Sequence, residues 1–184
     1  MMRPMHTKLI LCLGNPGSTY QATRHNVGWL FGDFLAKTLS ASELTDKKKF
    51  QALVRTVKRG EQQIIIAYPT TFMNDSGLAA AAIAQFYQLE ASVDILVIHD
   101  DLDLELGRYK LTHKLPRTHN GLASVSEHLG TRDFACLRLG IDDRHGSRVI
   151  PALKYVLMPI PETARQLLET QVFPRASQEV IRWL

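Results

Sequence analysis

The sequence predicts an α/β domain in which a mixed, mostly parallel twisted sheet carries helices on both faces. Apolar runs of strand length alternate along the chain with segments whose apolar residues recur at helical spacing. Two neighbouring runs, 50–57 and 62–68, are joined by the turn signal Arg59-Gly60 and read as a hairpin, which makes the sheet mixed. A chain of 184 residues has the length of one domain, so we assign residues 1–184 to a single unit.

The first half of the chain begins with an apolar run (8–13), a buried strand that is followed by a loop (14–19). Apolar residues at helical spacing then predict a helix over about 24–39. Pro69 ends the second strand of the hairpin, and 70–77 is a polar loop. Asn74, Asp75 or Ser76 can cap the helix that comes next, over about 78–86.

The second half continues the alternation. It predicts a buried strand at 94–99 that ends in an acidic stretch, a short strand at 108–111 and a long polar loop. A helix (about 122–129), another strand (135–141) and two separate helical patterns in the tail (162–171 and 177–184) follow.

Composition narrows the function classes. The net charge of +4 suits a polyanionic partner but is weak evidence by itself, and the run Lys47-Lys48-Lys49 is most simply a solvated loop. The apolar runs fall far short of the roughly 20 residues that span a bilayer. The first 14 residues lack a signal-peptide core, so we expect a cytoplasmic protein without a membrane partner.

Metal and nucleotide motifs are missing from the sequence. It contains no CxxC or HExxH, and Cys12 and Cys136 lie in apolar runs, so we expect neither a metal site nor a disulfide framework. The GxGxxG and GxxxxGK[ST] patterns are also missing, and Pro16 removes a backbone donor that an anion cradle would use. Nucleotide binding is therefore the function that the sequence favours least.

Four polar clusters lie beside predicted strands, at 15–26, 70–76, 99–103 and 113–120. Sites in α/β sheets gather where strands end and loops begin, so we expect these clusters to converge. The convergence brings together five polar residues: Asn15, His25, Asn74, Asp100 and Asn120.

These residue types suggest hydrolysis by activated water. A carboxylate such as Asp100 beside His25 would fix the imidazole tautomer and stabilise the cation formed when His25 accepts a proton. The asparagine amides can position a water or a substrate carbonyl. GxSxG is absent, so water activated by His25 is the expected nucleophile. Each residue also has a plain structural reading, as a surface or capping histidine, a turn carboxylate or turn asparagines.

Five segments together resemble the bacterial peptidyl-tRNA hydrolase family over about residues 8–160. They occur in the family's order and at close to its spacing: KLILCLGNPGSTYQATRHNVGWLF, PTTFMNDSG, VIHDDLDLELG, THNGL and LRLGI. The resemblance implies a monomeric α/β enzyme that needs no cofactor or metal. Such an enzyme cleaves the ester between a peptide and the 3′ end of its tRNA.

The resemblance also assigns roles by position. His25 matches the catalytic histidine and Asp100 the carboxylate that orients it. The residues expected to contact substrate or line the cleft are Asn15, Tyr20, Met73, Asn74, His119 and Asn120. Arg138 matches a basic residue that binds tRNA phosphate, with Lys110 or Lys114 as its companion.

Two stretches depart from the family pattern. A glycine-rich loop that normally ends in two glycines is replaced by HKLPRT (113–118), and the segment after LRLGI is altered to DDRHGSR (142–148). The first change is either a drifted surface loop or a charged replacement for lost backbone contacts. We expect Arg117 to bind phosphate there.

The alternative is that the protein is a member of this family that binds tRNA or structured RNA and has little hydrolytic activity. The retained His25, Asp100, Asn15 and Asn74 favour the enzyme.

Overall fold

The computed structural model of the protein describes residues 6–116 and 118–184. The described strands are β1 (His6–Cys12), β2 (Thr45–Lys47), β3 (Ala52–Arg59), β4 (Gln62–Pro69), β5 (Ile95–Glu105), β6 (Tyr109–Thr112) and β7 (Ala135–Asp142). The described α-helices are α1 (Val27–Thr38), α2 (Ser76–Tyr87), α3 (Ala91–Asp94), α4 (Asn120–Leu129), α5 (Ala152–Val156), α6 (Glu162–Leu167) and α7 (Phe173–Trp183). None of the described helices is long and apolar enough to cross a membrane.

The strands form one sheet in the order β2-β3-β4-β1-β5-β7-β6. Strand β1 is parallel to β4 and β5, and β5 is parallel to β7. Antiparallel pairing joins β3 to β4, β2 to β3 and β6 to β7. The predicted α/β class, with a mixed sheet around a parallel centre, is confirmed.

The unbroken apolar run of β1 reflects burial on both faces of the sheet. Leu9 and Leu11 point into the core that α2 and α4 cover, while Ile10 and Cys12 point into the core beneath α1 and α7. A central parallel strand is covered on both sides, so it has no polar face and does not alternate.

Helices α2 and α4 pack at very short range because of Gly77. A methyl group at this position would lie 2.1 Å from the carbonyl oxygen of Ser124. Any other side chain would force the helices apart, so the glycine sets their separation. This packing places the N-terminus of α4 beside the 3-10 turn Met73–Asp75.

The structure corrects two predicted boundaries. Strand β5 does not end at His99 but continues through the acidic stretch to Glu105, because β7 runs alongside it and pairs Asp100 with Leu139. The tail is not two separate helices: a π-helical turn (Leu168–Val172) joins α6 to α7. Val172 and Phe173 are buried in the core under α1, so the apolar stripe of the tail is continuous.

Among the described strands and α-helices, three short ones were not predicted from the sequence, namely β2, α3 and α5. Each contains five residues or fewer, too short to show a periodicity of its own.

Candidate active site

The site forms where β1 ends and β5 continues. Strand β1 pairs with β5 only as far as Cys12 and Ile98, so Asp100 stands beyond the end of β1. Helix α1 approaches this end closely: a methyl group on Gly28 would lie 2.5 Å from the carbonyl oxygen of Leu13. The 3-10 turn before α1, Arg24–Asn26, is thereby pressed against β5.

His25 and Asp100 are joined as the sequence predicted. His25 Nδ1 lies 2.7 Å from Asp100 Oδ1, and the His25 side chain is 13% exposed while Asp100 is buried. A carboxylate can only accept, so Nδ1 carries the proton and Nε2 is left as a base. Burial raises the pKa of Asp100, but attraction to His119 and His25 and their hydrogen bonds outweigh it and hold that pKa well below its usual range. Asp100 is therefore an anion at neutral pH.

His119 is bound to the same carboxylate oxygen, a contact that the sequence did not reveal. Its Nε2 lies 2.9 Å from Asp100 Oδ1, and its Nδ1 accepts a hydrogen bond from the backbone N–H of Leu122 at 3.3 Å. Nδ1 is an acceptor, so the neutral ring carries its proton on Nε2 and donates it to Asp100. His119 therefore caps the N-terminus of α4 and also holds the carboxylate of Asp100 in place.

His99 is a third histidine at this site and was not singled out in the sequence. Its Nδ1 donates to the carbonyl oxygen of Asp100 at 2.7 Å, and its ring lies edge-on to His119. Complete burial, followed by repulsion from His119, lowers the pKa of His99 to about 3. The ring is neutral at physiological pH and supports the backbone of Asp100.

The group His25, Asp100 and His119 has the composition of a metal site, with ligand atoms within 4.8 Å of one another. The nitrogens lie only 2.7 and 2.9 Å from Asp100 Oδ1, whereas ligands around tetrahedral zinc stand roughly 3.3 Å apart. His119 would also have to move its proton to Nδ1, where the N–H of Leu122 already points. The geometry is that of a hydrogen-bonded group.

Asn15 connects the loop after β1 to the loop before α2. Its Oδ1 accepts from the backbone N–H of Met73 at 2.8 Å. Asn26 supports it by accepting from Asn15 N and donating to Asn15 O, both at 2.9 Å. The Nδ2 group of Asn15 has no acceptor within residues 6–116 and 118–184, so it is a free donor beside the site.

The remaining predicted substrate residues lie on three neighbouring turns. The Tyr20 ring packs edge-on against the exposed Phe72 at 6.2 Å, next to the buried Met73. Asn74 is exposed on the turn that follows Phe72, and Asn120 is exposed on the first turn of α4.

A cleft opens beside His25 and His119. Its polar lining comes from His25, Asp100, Asp101, Asp103, Thr118, His119 and Asn120. The apolar lining comes from Leu102, Pro116 and three residues of α5: Ala152, Leu153 and Val156. These three residues of α5 form an apolar wall of the cleft, which the sequence did not predict. Asn15, Tyr20, Met73 and Asn74 do not line this cleft. Of these, Asn15 is hydrogen-bonded to Asn26, the residue after His25, and Met73 is hydrogen-bonded to Asn15.

The predicted phosphate contacts differ in their surroundings. Arg138 Nε lies 2.5 Å from Asp101 Oδ2, and its side chain is 16% exposed. Lys110 is exposed and pairs with Arg138 across β6 and β7. Lys114 is exposed in the loop after β6, and Arg117 lies outside the described residues.

Comparison with known proteins gives one family. The model of the peptidyl-tRNA hydrolase family matches residues 9–184. A crystal structure of a peptidyl-tRNA hydrolase with N-propanol is 30% identical, covers 98% of this chain and 97% of that one, and superposes with a TM-score of 0.78. The peptidyl-tRNA hydrolase of Acinetobacter baumannii is 29% identical, with coverages of 100% and 95% and a TM-score of 0.80. A 5′-methylthioadenosine nucleosidase of Arabidopsis thaliana shares the fold alone, at 10% identity over 98% and 96% with a TM-score of 0.55.

Proposed function

The chain belongs to the peptidyl-tRNA hydrolase family and hydrolyses peptidyl-tRNA, and from this premise we propose that His25, oriented by Asp100, activates the attacking water. One observation carries the proposal. The hydrogen bond from His25 Nδ1 to the anionic Asp100 leaves Nε2 as the basic atom on a residue that lines the cleft.

The reaction needs one proton to move twice. Nε2 of His25 takes a proton from water, and the hydroxide attacks the ester carbonyl to give a tetrahedral oxyanion. The ester bond then breaks, the 3′-terminal ribose oxygen receives the proton back from the imidazolium, and the products are the free peptide acid and tRNA. The negative charge of Asp100 stabilises the imidazolium between these steps.

Asparagine amides supply the stabilisation of the oxyanion in this proposal. The free Nδ2 group of Asn15 is aligned by the bond from Met73, while Asn74 and Asn120 are exposed on adjoining turns. Donors that are already in place cost no rearrangement as charge develops, which is the main way such groups accelerate acyl transfer. Tyr20 and Met73 border the same turns and would shape the entrance for the substrate.

The tRNA body is proposed to lie along the β6–β7 edge. Lys110 is exposed beside Arg138, and Lys114 lies just beyond them on the loop that leads to His119. Arg138 keeps the N–H groups other than Nε free of partners among the described residues, so it can contact a phosphate while Asp101 holds it. We also propose Arg117 as a phosphate contact.

The alternative function, RNA binding with little hydrolysis, lacks a supporting observation. A binding protein has no need of a buried anionic carboxylate that accepts from two histidines. Such a group costs free energy to bury and is characteristic of catalytic sites.

The deciding experiment compares two substrates, an N-acetyl-aminoacyl-tRNA and the same aminoacyl-tRNA with a free amine. We expect release of the N-blocked amino acid at a much higher rate. The His25→Ala variant should lose roughly 100-fold or more in turnover and keep its affinity for deacylated tRNA.

The matched control is His6→Ala, since His6 is an exposed residue at the start of β1. It should behave as wild type. Turnover by His25→Ala close to that of wild type would rule out the mechanism.

A further inference from the structure

The segment that follows β7 is attached to the turn that carries His25. Residues 22–24 and 158–160 run antiparallel: Arg24 N donates to Met158 O at 3.1 Å, and Ile160 N donates to Ala22 O at 2.8 Å. Helix α5 lies within this segment, and its Leu153 and Val156 line the same cleft as His25 and Asp100. The attachment therefore couples the apolar wall of the cleft to the position of His25.

A buried cluster around Arg24 makes the attachment specific. Arg24 is 5% exposed; its NH1 group donates to Pro159 O at 2.7 Å, and its NH2 group to both carboxylate oxygens of Asp143 at 3.2 Å. The guanidinium also lies 4.3 Å from the ring centre of Tyr155. Through its charge and its ring contact, the Arg24 side chain joins three parts of the chain, at Asp143, Tyr155 and Pro159.

The hydroxyl of Tyr155 completes the cluster from inside α5. It donates to the carboxylate of Asp143 and accepts from the backbone N–H of Asp143 at 3.1 Å, and it lies 3.1 Å from the carbonyl oxygen of Ile141. Tyr155 is buried and in contact with a second guanidinium, that of Arg144. One phenol thus connects the end of β7, the loop after it and α5.

Helix α5 depends on this connection for its place. It has five residues, far fewer than an isolated helix needs to persist in water. Its outer residue Leu153 is 75% exposed and has no core to hold it. The position of the wall is consequently set from the buried side, by Tyr155 together with the buried Val156.

We propose that Tyr155 and Asp143 are positioning residues, which hold α5 at a fixed distance from His25 so that its apolar wall packs against the side chain next to the scissile ester. The proposal rests on the proposed function. It gives a role to Asp143, which lies in the altered segment 142–148, and to Tyr155 in α5. Neither residue takes part in the proposed mechanism. Bulky apolar side chains at that substrate position should depend on the wall most.

The test compares Tyr155→Phe with Tyr87→Phe, because Tyr87 has no hydrogen bond to its hydroxyl within the described chain. Substrates are N-acetylleucyl-tRNA and N-acetylglycyl-tRNA. Tyr155→Phe should raise KM for the leucyl substrate roughly three- to tenfold, which is the factor that corresponds to the loss of one hydrogen bond. The kcat should stay within about twofold of wild type. KM for the glycyl substrate and the affinity for deacylated tRNA should stay unchanged, and Tyr87→Phe should match wild type throughout.

Asp143→Asn is the second variant and should shift the same parameter in the same direction. Hydrogen exchange of residues 152–158, measured without substrate, should be faster in both variants and unchanged in Tyr87→Phe. Equal losses with both substrates, or unchanged exchange in α5, would overturn the positioning role. If wild type cleaves neither substrate, the proposed function fails, and the exchange measurement still decides whether Tyr155 holds α5.

Discussion

Asn26 satisfies both backbone polar groups of Asn15 with one side-chain amide, through two hydrogen bonds of 2.9 Å. Asn26 is completely buried and directly follows His25, while Asn15 reaches across to Met73 N at 2.8 Å. The loop after β1, the histidine turn and the loop before α2 therefore behave as one hydrogen-bonded unit. The position of the free Asn15 amide relative to His25 is a property of this unit.

Replacing Asn26 should reduce both stability and activity. Asn26→Ala leaves the N–H and C=O of Asn15 buried without partners, at a cost of about 1–3 kcal/mol each. We expect a lower free energy of unfolding in urea and a roughly tenfold loss of kcat/KM at a temperature where the variant is folded. Asn26→Asp keeps the acceptor but places a buried carboxylate oxygen against the carbonyl oxygen of Asn15, so it should be at least as unstable as Asn26→Ala. If Asn26→Ala retains full activity, Asn15 is not positioned by Asn26.

Asp100→Asn should reduce kcat with little change in size or fold. An amide oxygen can still accept from His25 and His119, but it carries no negative charge to stabilise the imidazolium, and an amide N–H turned toward His25 favours the wrong tautomer. We expect kcat to fall roughly 10²- to 10⁴-fold by comparison with other histidine–carboxylate pairs. Asp46→Asn, on the exposed strand β2, is the control. A kcat near wild type would remove Asp100 from the mechanism.

His99 should make the fold sensitive to mild acid. Its pKa is lowered to about 3 in the folded protein, against an ordinary value near 6.5, so the unfolded chain binds more protons between these values. The free energy of unfolding should therefore fall as pH drops below about 6.5, by at most ~1.4 kcal/mol per pH unit. The charged or titratable groups that face His99 are His119, Asp100 and Asp101. Asp100, whose pKa is depressed, loses its own stabilising contribution only below about pH 4.

The measurement is urea unfolding of wild type and His99→Asn at pH 7, 6 and 5. Asparagine retains a donor for the Asp100 carbonyl but does not titrate. The difference in stability between the two proteins should change with pH. A constant difference would show that His99 has no lowered pKa.

Binding of deacylated tRNA, measured across a series of salt concentrations, tests the proposed phosphate contacts of Lys110, Lys114 and Arg138. Each lost phosphate contact should reduce the slope of log affinity against log salt by close to one unit. We expect this for Lys110→Ala and Arg138→Gln, and for Lys114→Ala if the loop after β6 follows the phosphates. Lys37→Ala, at the exposed end of α1, should leave the slope unchanged. A variant with the wild-type slope has not lost a phosphate contact.

The loop that replaces the glycines is tested with Arg117→Gly combined with Thr118→Gly. If Arg117 binds phosphate, the double variant should have a higher KM and a flatter salt slope, with the chemistry of His25 unaffected. Faster turnover with an unchanged slope would instead mean that the loop is a drifted surface feature.

Most of the fold could be predicted from local patterns. The apolar runs of β1, β4 and β7 and the hairpin turn at Gly60 are local, because strands buried on both faces need uninterrupted apolar residues. The end of β5 was not predictable in this way. Asp100 and Asp101 look like a turn until β7 pairs beside them, and pairing partners about 39 positions away leave no local signal.

The sequence by itself determined the residue types of the proposed chemistry and the ends of strands at which they occur, since His25, Asp100 and the asparagines all lie in polar clusters next to apolar runs. Only the tertiary structure decided which groups support them. Asn26, His99, His119 and Tyr155 have ordinary local contexts and act through hydrogen bonds to residues that folding brings near. A hydrogen bond needs its partners within about 3 Å, and a single sequence does not encode that distance in residue spacing once the partners are on different elements.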